Sequence, residues 1–182
     1  MSRTRGTRRA GSRVSDLFLF ETWEQLSTIV PPFMARCGAA ALCGALIGLE
    51  RELKGKPAGF RTNILICLGA AMYMAVGLLI VDVAGQAASD AARIAAQVVT
   101  GIGFIGAGCI IQQRGRVVGL TTAATIWVVA AIGIIAGAGF PILAFIASAM
   151  VLITLIVLGA VEDRFLDQAQ SGGDDYGSNA RD

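Results

Sequence analysis

Five long apolar runs alternate with short polar stretches along this chain, at 33–49, 64–81, 94–111, 123–139 and 141–161. Each approaches the ~20 residues that a helix needs to cross about 30 Å of hydrocarbon. As buried helices of a water-soluble protein they fail, because too little polar sequence remains to cover them. Only Gly137-Ala138-Gly139-Phe140-Pro141 divides the last two runs, and glycine followed by proline marks a helix end and a tight reversal. The pattern predicts an all-α membrane protein whose five-span transmembrane helical bundle occupies residues 33–162.

Ahead of the first span, Leu17, Phe18, Phe20, Trp23, Leu26, Ile29 and Val30 recur at mixed three- and four-residue spacing, with Asp16, Glu21, Glu24 and Gln25 between them. This spacing predicts an interfacial amphipathic helix over 14–30, ended by Pro31-Pro32. Residues 1–13 carry Arg3, Arg5, Arg8, Arg9 and Arg13 among Gly and Ser, and read as a disordered basic tail rather than a cleaved signal peptide. Residues 165–182, with Ser171-Gly172-Gly173-Asp174-Asp175, read as a second solvated tail.

A short basic turn occurs twice. Lys54-Gly55-Lys56-Pro57-Ala58-Gly59-Phe60-Arg61-Thr62 follows span one, and Arg114-Gly115-Arg116-Val117-Val118-Gly119-Leu120-Thr121-Thr122 follows span three. Their glycines stand sixty positions apart, and the basic, apolar and Thr positions keep the same offsets. Either the bundle holds a duplicated helix-turn-helix unit, or two tight turns converged on Gly with Lys or Arg. The loop after span two holds one Arg and two Asp, and the loop after span four holds no charge. By the positive-inside rule the two basic turns face the cytoplasm, which puts the N-terminus outside and the C-terminus inside. The arginines of the N-terminal tail pull the other way, but lie beyond the reach at which the rule is strong.

Composition narrows the chemistry. Of 182 residues, 55% are hydrophobic, above the roughly 45–50% usual in soluble domains. The chain has no His, which excludes imidazole metal sites and a Ser-His-Asp triad. Cys37, Cys43, Cys67 and Cys109 lie inside apolar runs without CxxC spacing and read as small hydrophobes in packed helices. No nucleophile–base pair stands out, so an enzyme is not expected, nor is a cofactor or a nucleic-acid partner.

Three groups of residues remain as candidates. At the cytoplasmic ends of the helices, Glu50 is either a solvated helix end paired with Lys54 at i+4, or an inward carboxylate paired with Arg61. Thr62 and Asn63 open span two, and Thr121 and Thr122 open span four; both pairs suit helix caps, or an anion site beside Arg61, with Thr125 one turn deeper. At the outer end, Arg93, Gln97 and Thr100 share one helix face, as interhelical hydrogen-bonding groups or as a vestibule. In span three, Gly101, Gly103, Gly106 and Gly108 imitate a nucleotide-binding pattern, yet no strand precedes them. They read as helix-packing positions, with a distorted helix exposing its carbonyls as the alternative.

Gly48-Leu49-Glu50-Arg51-Glu52, Lys56-Pro57-Ala58-Gly59-Phe60-Arg61-Thr62-Asn63, Arg93-Ile94-Ala95-Ala96-Gln97 through Gly108, and Gly119-Leu120-Thr121-Thr122-Ala123-Ala124-Thr125-Ile126-Trp127 follow one another in order. Together they resemble the MgtC/SapB membrane protein family over about residues 34–160. The resemblance implies a bacterial inner-membrane protein linked to adaptation to magnesium limitation, in some bacteria to virulence, and in some cases to effects on the F-type ATP synthase. The chain reads as a short form without the soluble C-terminal domain of longer members. Two functions follow: a membrane regulatory protein acting through contacts with itself or a membrane-protein partner, and a transporter or channel for Mg²⁺ or another small ion. Mg²⁺ favours carboxylate oxygens and retained waters, and no Asp or Glu lies mid-span. That favours the regulator.

Overall fold

A computed structural model describes residues 23–84, 89–113 and 116–174. Five helices, α1 (Trp23–Leu53), α2 (Phe60–Ala84), α3 (Ser89–Gly108), α4 (Leu120–Gly137) and α5 (Pro141–Asp174), form the chain with an exposed two-stranded hairpin of β1 (Ile111–Gln113) and β2 (Arg116–Val118) between α3 and α4. All five are long and apolar enough to cross a membrane. The chain is a multi-pass membrane protein. Helix α4 is the centre: it packs on the other four helices, and half of its span is buried, against 11–39% of the others.

The reversal between α4 and α5 forms as its glycine and proline predict. Gly139 adopts φ 95°, its N–H bonds Ala136 O at 3.0 Å, and the Phe140 N–H reaches back to Ile135 O at 3.2 Å. This is a Schellman end, and Pro141 then starts α5 where its missing N–H costs nothing.

Helix α2 is gripped on two sides by glycine pairs four residues apart. On α1, a Cβ at Gly44 would lie 2.7 Å from Asn63 O, and one at Gly48 would lie 2.9 Å from the Phe60 backbone. On α4, a Cβ at Gly133 would lie 2.9 Å from Ala70 Cβ, and one at Gly137 would lie 2.8 Å from Ala71 Cα. Small residues at this spacing let helix backbones approach closely where no hydrophobic effect drives them together. Ala40, Cys43 and Ile47 of α1, Cys67 and Ala71 of α2, Val129 and Ile132 of α4 and Ala144 of α5 fill the core between them. Cys37, Cys43 and Cys67 are buried.

Four expectations are corrected. Pro31 and Pro32 lie inside α1 and do not end it. Proline removes a hydrogen bond but its φ suits a helix, and both rings are exposed, so the cost stays local. Residues 23–30 therefore extend the first span along its own axis instead of forming a separate surface helix; 1–22 lie outside the described residues. Span three ends at Gly108, not at residue 111, and the basic turn after it is a hairpin with Ile111 opposite Val118. The first basic turn has no strands and carries Gly55 and Ala58 at positive φ, so the two turns differ in structure. What they share is the helix start: Asn63 N–H bonds Gly59 O, and Ala123 N–H bonds Gly119 O, at the same sixty-residue offset. Finally, α5 continues to Asp174 where a tail was expected. Helix propagation from a formed turn is far easier than nucleation, and Glu, Arg, Leu, Gln and Ala after residue 161 are good helix formers.

Candidate functional site

The last turn of α1 carries Glu50, Arg51, Glu52 and Lys54, and the helix period sends them to different places. Glu50 and Arg51 are buried, with 8% and 3% of their surface exposed. Glu50 Oε1 pairs with Lys54 Nζ at 2.9 Å, and Arg51 Nη1 stands 3.9 Å from Glu50 Oε2. Glu50 Oε2 accepts no hydrogen bond, and Arg51 Nε donates none. One carboxylate faces two cations and part of the hydrogen-bonding capacity is unmet, which is a costly arrangement for buried ions. Lys54 also donates to Leu155 O at 3.4 Å, tying α1 to α5. Gly159 leaves room for it, because a Cβ there would meet the ammonium at 2.9 Å.

Glu52 turns outward and caps α2: its Oε2 accepts the Phe60 N–H at 2.9 Å. A carboxylate at a helix N-terminus satisfies an orphan donor and complements the helix dipole. Asn63 is fully buried and clamps the turn, donating from Nδ2 to Ala58 O at 2.6 Å and to Gly59 O at 2.9 Å. Its Oδ1 has no donor.

The sequence-derived site is thus assembled in part. Glu50 does turn inward, but its partners are Lys54 and Arg51, not Arg61, which is exposed beside Thr62. On α4, Thr121 is exposed while Thr122 and Thr125 are buried, and Thr125 Oγ1 donates to Thr121 O at 2.7 Å. Among the described residues no hydrogen bond or ion pair joins these threonines to Glu50.

At the other end of the bundle, Arg93 and Gln97 line a groove of about 990 Å³ between α2 and α3, together with Tyr73, Ile80 and Gly101. Thr100 lies on the next face and donates to Ala96 O. Of the four span-three glycines, only Gly106 faces a neighbour closely, where an added Cβ would stand 3.7 Å from Ala123; a Cβ at Gly101, Gly103 or Gly108 would meet nothing within 4 Å. Within this chain they do not pack helices, because α3 sits at the edge of the bundle with 17% of its span buried. The helix glycines that pack against a neighbouring helix's backbone within 3 Å of an added Cβ are those of α1 and α4.

Sequence reasoning missed Arg51, Glu52 and Arg36 as functional side chains. Arg36, half-buried in α1, donates from Nη1 to Gly137 O at 3.2 Å, a cation on the C-terminal carbonyls of α4. A charge inside an apolar run was the signal available for it.

Five membrane-spanning helices define the class, a multi-pass membrane protein. The model of the MgtC family matches residues 38–164, and the chain is a member of that family. Among curated proteins it is similar to YhiD of Escherichia coli K12, named there as a candidate magnesium transporter: 47% identity over 136 residues, covering 71% of this chain and 61% of YhiD. It is also similar to Protein MgtC of Brucella abortus, with 48% identity over 106 residues, 58% of this chain and 42% of the relative. Protein MgtC of Salmonella typhimurium is 44% identical over 108 residues, 59% of this chain and 44% of the relative. The chain thus spans about three fifths or less of the length of these relatives. No solved structure matches it.

Proposed function

We propose that this chain is a non-enzymatic regulatory protein of the bacterial inner membrane, linked to adaptation to magnesium limitation, that acts by docking α3 against a second copy or another membrane protein. Its basic turns face the cytoplasm, with the N-terminus outside and the C-terminus inside. The observation that carries the reading is a stripe on α3: Ala92, Ala96, Thr100, Gly103 and Ala107 fall on one face and all are exposed. Small residues at three- and four-residue spacing are the surface on which membrane helices pack closely. The magnesium link is supported by the names and family of the relatives. Whether the F-type ATP synthase is the partner rests on the family resemblance alone.

The test is a photo-crosslinking residue at position 96 in the host, combined with Gly103→Leu. The expected outcome is a discrete crosslinked species that Gly103→Leu removes, together with slower growth at low magnesium and an unchanged amount of protein in the membrane. Crosslinking and growth that both survive the leucine would overturn the docking face.

A specific observation favours a second reading, transport. Glu50 Oε2 and Asn63 Oδ1, both buried, lack hydrogen-bond donors, and both oxygens suit a hard cation or its waters. Mg²⁺ uptake into proteoliposomes distinguishes the two: transport predicts uptake above empty vesicles that drops in Glu50→Gln, whereas the regulator predicts none.

A further inference from the structure

We infer that the β1–β2 hairpin is a lipid-binding element that lies on the anionic headgroup surface of the bilayer, with Ile111 and Val118 at the hydrocarbon edge and Arg116 on a lipid phosphate. The inference goes beyond the proposed function and stands whether the protein regulates or transports. A two-stranded hairpin is marginal in water when nothing covers it, and this one has strands of three residues. Every described residue in it is exposed, and Ile111, Val117 and Val118 each keep more than half of their surface open. Ile110 and Leu120 extend this open apolar surface at its base.

Two features name the bilayer as the cover. The first is the tether. The span before the hairpin ends at Gly108 and the span after it begins at Leu120. Gly119, at φ 94°, lies directly against the Cys109 carbonyl, where an added Cβ would collide with it. This closed neck holds the hairpin at the ends of α3 and α4. Strands of three residues reach only about 10 Å from it, comparable with a headgroup layer roughly 5–8 Å deep. The second feature is the order of the side chains. Directly opposed residues of an antiparallel ladder share a face, as do residues two apart on one strand. Ile111 opposes Val118 and Gln113 opposes Arg116. One face therefore carries two apolar side chains near the neck, then an amide and a guanidinium about 7 Å further out. A bilayer surface passes from hydrocarbon to anionic headgroup in the same order. A guanidinium offers paired donors that match phosphate geometry, and Arg114 adds a second cation to this segment of the sequence. A second copy docked on this face in a shared membrane orientation would set Arg116 beside its own counterpart at equal depth, which is repulsive.

The experiment measures hydrogen exchange of the purified full chain in nanodiscs of dioleoyl phosphatidylcholine, with and without dioleoyl phosphatidylglycerol. Amides of residues 110–118 are expected to exchange more slowly in the anionic discs. Arg116→Gln, at an exposed position, should remove about fivefold of that protection, the worth of one arginine at an anionic surface. Ile111→Thr with Val118→Thr keeps β-branched side chains for the strands and should speed exchange in both kinds of disc. Unchanged exchange in the spans shows that the bundle is intact in each variant. Equal exchange of the wild-type hairpin in the two lipids overturns the inference, as does wild-type protection in either variant. Protection that follows the number of chains per disc, and not the lipid charge, also overturns it and assigns the face to a second copy.

Discussion

Gly133→Leu is expected to destabilise the bundle by about 3 kcal/mol or more, at the upper end of what overpacking costs. A Cβ at this position would stand 2.9 Å from Ala70 Cβ and directly against the Cys67 carbonyl of α2. Backbone cannot rotate aside as a long side chain can. Nor can α2 retreat, because on its other side α1 is so close that a Cβ at Gly44 or Gly48 would stand 2.7 or 2.9 Å from the α2 backbone. The comparison is Gly103→Leu on α3, where a Cβ meets nothing within 4 Å and the midpoint should hold. Thermal melting of both variants in one detergent checks the pair. A Gly133→Leu protein as stable as wild type would mean that α4 and α2 are not held at backbone contact.

That contrast marks where the sequence stops being legible. The spans were readable because crossing hydrocarbon sets a length and a composition, and both are local properties of the chain. Which glycines pack is a tertiary property. Residues 101–108 hold the densest glycine run, yet α3 turns most of it outward, while the sparser pairs at 44/48 and 133/137 meet neighbouring backbones. The basic repeat was readable as a motif but not as a shape. Val117 and Val118 in its second copy are β-branched and favour a strand, whereas Pro57 in the first removes a donor that a strand would need. The helix through Pro31-Pro32 was hidden for a different reason: the local signal for a break is real, but the φ of proline suits a helix and the lost hydrogen bond is a local cost at exposed positions.

The candidate site was legible by the same measure. That Glu50 lies near a membrane boundary follows from counting residues. Which cation meets it depends on the rotation of two helices. Arg61 falls on the outer face of α2, two residues before the buried Asn63, and the i+4 partner on the same helix, Lys54, reaches Glu50 instead. The cluster thereby joins α1 to α5 through Leu155 O, while Glu52 and Asn63 close the turn between α1 and α2. One short segment, residues 50–54, fixes two of the contacts of α1.

Lys54→Met is expected to destabilise the protein by about 2 kcal/mol, and Glu50→Gln in the same chain to restore part of that loss. Removing one partner of a buried ion pair typically costs about 3–5 kcal/mol, because the other charge is left uncompensated. Here the loss should be smaller, since the Lys54 side chain keeps 37% of its surface in solvent, and since Arg51 remains 3.9 Å from the carboxylate. Glu50→Gln alone should cost about 1–2 kcal/mol: Lys54 can turn to water, but Arg51, with 3% of its surface exposed, loses its carboxylate. Thermal midpoints of the two single variants and the double variant complete the cycle, and additive losses would show that the two side chains do not act on each other. The Glu50→Gln midpoint carries a consequence for function. If the chain instead folds as well with a neutral amide at position 50, stability does not account for a carboxylate there. The charge of Glu50 then has to be explained by what it binds or whom it contacts, and the uptake measurement with Glu50→Gln separates those two.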